Sequence, residues 1–184
     1  KKSLKEYLDE QNVLGVAGFD TRSITKYVRE SGAMKAVLTT SHEEISVLLE
    51  RARNHPDMSG ANFAEEVTTE TPYKWSIDKP AKYKVAVIDC GVKHNILRML
   101  SVHGCECSVF STDVTADYIL ENGFDGIFIT NGPGDPEPVK KVITLVKQLL
   151  GKLPIAGICL GHQIMGLALG GKAEPTELSI REQE

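Results

Sequence analysis

Apolar and polar residues change their spacing partway along this chain. From Lys84 onward four short runs are almost continuously apolar: Lys84 to Asp89 (KVAVID), Cys107 to Phe110, Gly126 to Thr130 (GIFIT) and Ile155 to Cys159 (IAGIC). Short runs without polar alternation suit strands buried on both faces. Between them the spacing is helical at Asn95 to His103, Thr115 to Asn122 and Val139 to Leu150. In the last of these, Val139, Val142, Ile143, Val146, Leu149 and Leu150 follow i, i+3, i+4, i+7 spacing. A further helix is expected over His162 to Leu169. This alternation predicts an α/β fold with a parallel, doubly wound sheet. Sites in such sheets lie at the carboxyl ends of the strands.

Residues 1–67 read as a smaller mixed region. A helix is expected over Ser3 to Glu10, then a short extended piece at Val16 to Phe19. Asp20 is a good N-cap for a helix with Ile24, Tyr27 and Val28 on one face and Gly32 just past its end. Ala33 to Leu38 reads as a strand. Ser41-His42-Glu43-Glu44 has the form of a capping box opening a helix whose apolar stripe is Ile45, Leu48, Leu49 and Ala52. Residues 68–82 (TTETPYKWSIDKPAK) hold two prolines and three threonines without sustained periodicity, so a linker is expected there, ahead of a second domain over 83–184. Trp75 and Tyr73 fall in that linker, where packing over a domain seam is the expected role. No repeat of fixed period is present.

Composition narrows the class. With 41% apolar and 25% charged residues in 184, the chain can build a packed core. A net charge of -4 supplies no cationic field for a phosphate backbone, so nucleic acid is not expected as a partner. No apolar run approaches the ~18 residues of a membrane span, and no apolar segment of the secretory type follows the N-terminal lysines. The first residue is Lys, not Met, which suggests a segment of a longer chain. Four cysteines (Cys90, Cys105, Cys107, Cys159) form no C-x-x-C pair, which fits a reducing, cytoplasmic setting. Cys105-Glu106-Cys107 lacks a second ligand pair, so a helix-to-strand connection is expected rather than a metal site.

Two strand ends carry unusual sequence. Gly157-Ile158-Cys159-Leu160-Gly161-His162-Gln163 is a G-x-C-x-G at a strand-to-helix junction. It has the form of a nucleophile elbow: small residues permit a tight turn that lifts the thiol above the sheet, and the following helix N-terminus favours thiolate. The alternative is a structural cysteine at the end of a core strand. Thr130-Asn131-Gly132-Pro133-Gly134-Asp135-Pro136 follows GIFIT directly. Either it is only a tight turn, or it presents the N–H groups of Gly132 and Gly134 toward a neighbouring strand end. Beside an elbow it becomes a source of one oxyanion donor, the other being the N–H of Leu160.

Together GICLGHQ and NGPGDP resemble the class I glutamine amidotransferases, whose flavodoxin-like domain carries a cysteine that attacks the carboxamide of glutamine. Asp89 to Arg98 (DCGVKHNILR), FDGIFITNGPGDP and Gly18-Phe19-Asp20-Thr21-Arg22 look like the small, glutamine-hydrolysing subunit of carbamoyl-phosphate synthetase, over nearly the whole chain to about Lys172. The resemblance implies Cys159 as nucleophile, and Gly132, Gly134, Leu160 and Gln163 as residues that bind glutamine or line the oxyanion hole. It implies no metal or cofactor in this chain. The ammonia would pass to a large subunit, in a heterodimer, that uses bicarbonate, ATP and Mg for pyrimidine and arginine synthesis.

By the same resemblance the general base His and its partner Glu lie well downstream of the elbow, and residues 173–184 (AEPTELSIREQE) contain no His. The chain is therefore expected to be a fragment, with an incomplete sheet, part of an N-terminal domain over 1–67, and little glutaminase turnover of its own. His162 would have to turn back across the elbow to reach the sulfur. His94, at a neighbouring strand end, is the other candidate near the site; His42, His55 and His103 need no role. Two other readings stand beside this one: the amidotransferase part of a different synthetase, and a catalytically silent interaction module.

Overall fold

The computed structural model describes residues 2–32, 34–58, 60–75 and 80–172. Its contacts divide the chain into two units, one running through Asp57 and the other starting at Met58.

The first unit is built of α1 (Leu4–Glu10), α2 (Thr21–Ser31) and α3 (Ile45–Asn54). Ser3 caps α1: its hydroxyl accepts the Glu6 N–H, while the Glu6 carboxylate accepts the Ser3 N–H. Asp20 accepts the Ser23 N–H as N-cap of α2, and Gly32, with φ 80°, follows its last turn. Two expectations fail here. Residues 34–38 form no strand. No other strand is found among the described residues of this unit, and an extended segment needs a partner to make a ladder. The Ser41–Glu44 capping box does not form either: α3 is capped at Glu44 without a side-chain bond, and the Ser41 hydroxyl instead donates to Glu43, whose carboxylate also takes Arg51. None of the three helices buries a residue.

The second unit follows the alternation of its apolar runs. It contains α4 (Phe63–Val67), β1 (Tyr73–Trp75), β2 (Tyr83–Ile88), α5 (His94–Val102), β3 (Cys105–Phe110), α6 (Ala116–Glu121), β4 (Gly126–Ile129), α7 (Lys140–Leu149), β5 (Ile155–Gly157) and α8 (Leu160–Ala168). Strand order is β1-β3-β2-β4-β5; β2 through β5 are parallel and β1 runs antiparallel at the edge. The parallel part has the flavodoxin-like order, with its switch point between β2 and β4. The doubly wound α/β expectation therefore holds, with two differences from the linker expected over residues 68–82. The unit boundary falls ahead of that stretch, and Tyr73–Trp75 within it is a strand paired with Cys107–Val109. β3 likewise begins at Cys105, so Cys105 and Cys107 lie in a strand rather than in a connection.

Side-chain alternation builds two apolar layers. Ala86 and Ile88 of β2 and Ile127 and Ile129 of β4 pack with α6, α7 and α8 on one face. Val87, Cys107 and Val109 pack with Leu97 of α5 on the other, where Tyr73 and Trp75 of β1 join them. Register sets Ile88 beside both Phe110 and Ile129, and Ile129 beside Gly157. Four carboxyl ends therefore stand abreast along one edge.

Ile88 is fully buried on the central strand, so Ile88→Ala should cost about 2–5 kcal/mol of unfolding free energy through lost burial and a cavity. Val102→Ala, at a residue 73% exposed, should stay within about 0.5 kcal/mol. Urea titrations of the two variants check the contrast; equal effects would mean that β2 is not the core strand.

Candidate active site

The edge formed by those strand ends is crowded. A Cβ on Gly132 would collide with the carbonyl oxygen of Cys90 and with Cδ2 of Leu160, and one on Gly161 with the carbonyl of Ile129. A Cβ on Gly157 would lie 2.6 Å from the Gly161 carbonyl carbon. Side chains are excluded at these three positions because backbones from β2, β4, β5 and α8 meet there.

The turn between β5 and α8 adopts the form expected of an elbow. Cys159 is the N-cap of α8, at φ 54° and ψ -113°, one of two non-glycine residues with positive φ among those described. Such a backbone persists only where its surroundings enforce it. Here Ile158 N–H donates to Ile129 O at 3.1 Å, Gly161 N–H to Thr130 O at 3.1 Å, and Gln163 N–H to Cys159 O at 3.1 Å. The thiol is exposed while Leu160, the next residue, is buried. As the first residue of α8, Leu160 has an N–H without an intrahelical acceptor. This arrangement offers an accessible sulfur to an electrophilic carbon, with a helix N-terminus behind it.

The remaining expected residues fall in different places. Gly132 lies against Leu160, so the loop after β4 and the elbow do meet. Gly132 needs no positive φ; its constraint is close approach. Gly134 does have positive φ, 80°, and its nearest neighbour is the ring of Phe63 in α4, not the elbow. Gln163 is in the first turn of α8 with its side chain exposed. His162 is exposed on the same helix, and the ring of His94 sits 5.4 Å from that of Trp75. Among the described residues no histidine is hydrogen-bonded to Cys159.

Polar residues to which the sequence patterns gave no individual role hold the loops together. Asp89, 5% exposed, accepts N–H bonds from Gly91 and Val92 on Oδ1 and from Thr69 on Oδ2, at 2.7 to 3.0 Å. Thr68 donates its hydroxyl to Asp89 O and accepts the Thr112 N–H, tying the ends of β2 and β3. Thr130 accepts the Cys90 N–H, and the Asn131 amide spans the β2 loop by accepting from Lys93 N and donating to Gly91 O. An Asp at a strand end, two residues ahead of a Gly, was the available signal for the first of these. Segment 60–65 straps the outer side of the glycine loop through Gly60 N–H to Asp135, Asn62 to Pro138 O and Glu65 to Lys141.

The other three thiols are less exposed than Cys159. Burial, with Asp89 nearby, pushes Cys90 up to about 12; burial, with Cys105 and Glu106 nearby, does the same for Cys107. Burial also raises Cys105. No group of three or more His, Cys, Asp or Glu side chains with metal-binding geometry occurs among the described residues. A cleft of about 510 Å³ lined by Tyr73, Lys84, Phe110, Tyr118 and Phe124 runs along β3; Cys159 does not line it. No described helix is long and apolar enough to cross a membrane.

Residues 86–184 match the family described as Glutamine amidotransferase class-I, and residues 1–38 match the Carbamoyl-phosphate synthase small chain, CPSase domain. Similar proteins include the carbamoyl phosphate synthase small chain of Aquifex aeolicus, 45% identical over 94% of this chain and 49% of that one. That of Syntrophotalea carbinolica is 38% identical over 92% of this chain and 48% of its own length. The chain spans about half the length of the curated relatives it matches.

At pH 8, limiting iodoacetamide should modify Cys159 ahead of Cys90, Cys105 and Cys107, as read by peptide mass spectrometry; Cys90 reacting first would contradict the exposure contrast. Cys90 and Cys107 also titrate higher folded, at about 12, than the reference value of 9.0. The stability tied to their neutral forms is therefore complete below pH 9 and is lost as pH rises toward 12. Replacing both with Ala should flatten the alkaline part of the urea stability profile relative to the unaltered chain.

Proposed function

Because the chain belongs to the class I glutamine amidotransferases, we propose that it is the glutamine-hydrolysing small chain of a carbamoyl-phosphate synthetase, with Cys159 as its nucleophile. The observation that carries this is the backbone of Cys159, turned to positive φ at the head of α8. The small-chain match over residues 1–38 and the names of the similar proteins support the choice of synthetase.

In the proposed reaction the Cys159 thiolate attacks the carboxamide carbon of glutamine. A C–S bond forms while the carbonyl π pair moves onto oxygen, and the N–H groups of Leu160 and Gly132 take that charge. The C–N bond then breaks and the nitrogen leaves with an added proton as ammonia. Water adds to the thioester carbon, the C–S bond breaks, and glutamate is released. Gln163 and Gly134 contribute to holding the substrate. The proton steps call for a general base, which the family resemblance gives as a histidine.

Ammonia then passes to a larger, ATP-using chain that binds ATP and Mg²⁺ and combines it with bicarbonate, supplying pyrimidine and arginine synthesis. This chain needs no cofactor of its own for the hydrolysis. Four free thiols suit a reducing compartment such as the cytoplasm.

L-Glutamine should slow iodoacetamide labelling of Cys159 saturably, whereas L-asparagine, one methylene shorter, should not. Incubation with glutamine followed by acid quenching should leave one glutamyl group on the peptide containing Cys159, and Cys159→Ser should abolish that adduct. Labelling indifferent to glutamine would refute the site.

A further inference from the structure

Glycine tolerates a wide range of φ, so the direction of the Gly132 N–H has to be fixed by contacts made by its peptide plane. Thr130 is fully buried at the end of β4. Its hydroxyl accepts the Cys90 N–H at 2.9 Å, which occupies a lone pair, and gives its single proton to the carbonyl oxygen of Asn131, also at 2.9 Å. That carbonyl belongs to the same peptide unit as the Gly132 N–H. In a planar trans peptide the C=O and N–H point in opposite directions, so a bond that holds the oxygen also sets where the hydrogen points. The flanks are held too: the Asn131 side chain bonds Lys93 N–H at 3.0 Å and Gly91 O at 2.9 Å. On the other side Gly132 presses on the Cys90 carbonyl and on Leu160.

We propose that Thr130 is a positioning residue for acyl transfer: its hydroxyl, anchored on the Cys90 N–H, locks the Asn131–Gly132 peptide so that the Gly132 N–H faces the oxyanion formed at Cys159. This rests on the glutaminase reading given above. Thr130 touches neither substrate nor sulfur in this role. It acts through one peptide plane, and the hydroxyl is the part of the side chain that matters. A methyl in its place leaves the Cys90 N–H unpaired and frees the Asn131 carbonyl to rotate.

Two reagents separate the effect on the oxyanion from effects on the thiol. A chloroketone analogue of glutamine, with CO–CH₂Cl in place of the carboxamide, reacts with sulfur by adding to the ketone; the carbonyl oxygen becomes an oxyanion before chloride leaves and the thioether forms. Iodoacetamide reacts by direct displacement of iodide and generates no oxyanion. In the unaltered chain, chloroketone labelling of Cys159 should saturate and be blocked by glutamine; absence of that behaviour would refute the site reading itself. Given that behaviour, Thr130→Val should slow chloroketone labelling by about tenfold or more, while Thr130→Ser stays within about twofold and iodoacetamide rates stay level in all three. Thr130→Ala, which leaves room rather than a misplaced methyl, should show the same selective loss. Chloroketone rates unchanged in Thr130→Val and Thr130→Ala would overturn the proposal. So would a parallel fall with both reagents, because a hydroxyl needed only for folding would slow the two alike.

Discussion

Backbones from four elements converge at the carboxyl edge of this sheet more closely than side chains allow. The Cys90 carbonyl lies against Gly132, the Ile129 carbonyl against Gly161, and Gly157 against the backbone of Gly161. That approach lets α8 seat directly on β4 as soon as the chain leaves β5, and the sharp reversal it demands is absorbed at Cys159. Positive φ at a non-glycine residue costs roughly 1–3 kcal/mol. Burial of Leu160, Ile164 and Ala168 against the sheet opposes that cost. The strain and the packing of α8 are therefore parts of one arrangement, and the thiol is exposed because the residue after it is buried.

Where side chains are excluded, polar contacts from neighbouring residues supply the rigidity. Asp89 and Thr130 are both buried, and each makes several bonds to backbone groups of loops that the sheet register brings alongside. Buried polar groups left unpaired are costly, so such a set of bonds holds few alternative conformations. Thr68 and the strap over residues 60–65 extend the same support outward. A site assembled on strand ends and supported in this way gains its precision from the sheet rather than from its loops.

The two units were legible to different degrees. In the first, Asp20 and Ser3 define helix starts through contacts three residues long, and these form as local chemistry requires. Residues 34–38 and the Ser41–Glu44 motif failed because each depends on something the local pattern does not contain: a neighbouring strand in one case, and a helix that starts three residues earlier in the other. In the second unit Tyr73–Trp75 passed for linker because three residues flanked by prolines and threonines are too short to show a period. Its role as an edge strand comes from its pairing with β3 and from the aromatic contacts it makes beside Leu97.

By itself the sequence determined the succession of buried strands and helices and the doubly wound α/β class, and it marked Cys159 as the cysteine of a glycine-flanked strand-to-helix turn. Each of these follows from periodicity or from glycine spacing within a few residues, where sterics act directly. Only the tertiary structure decided that Gly132 serves by close approach while Gly134 rests on Phe63, and that Thr130 and Asn131 hold the loop between them. The bond from Cys90 to Thr130 joins residues 40 apart. No local pattern encodes it, because it exists only once β2 and β4 are paired with Ile88 beside Ile129.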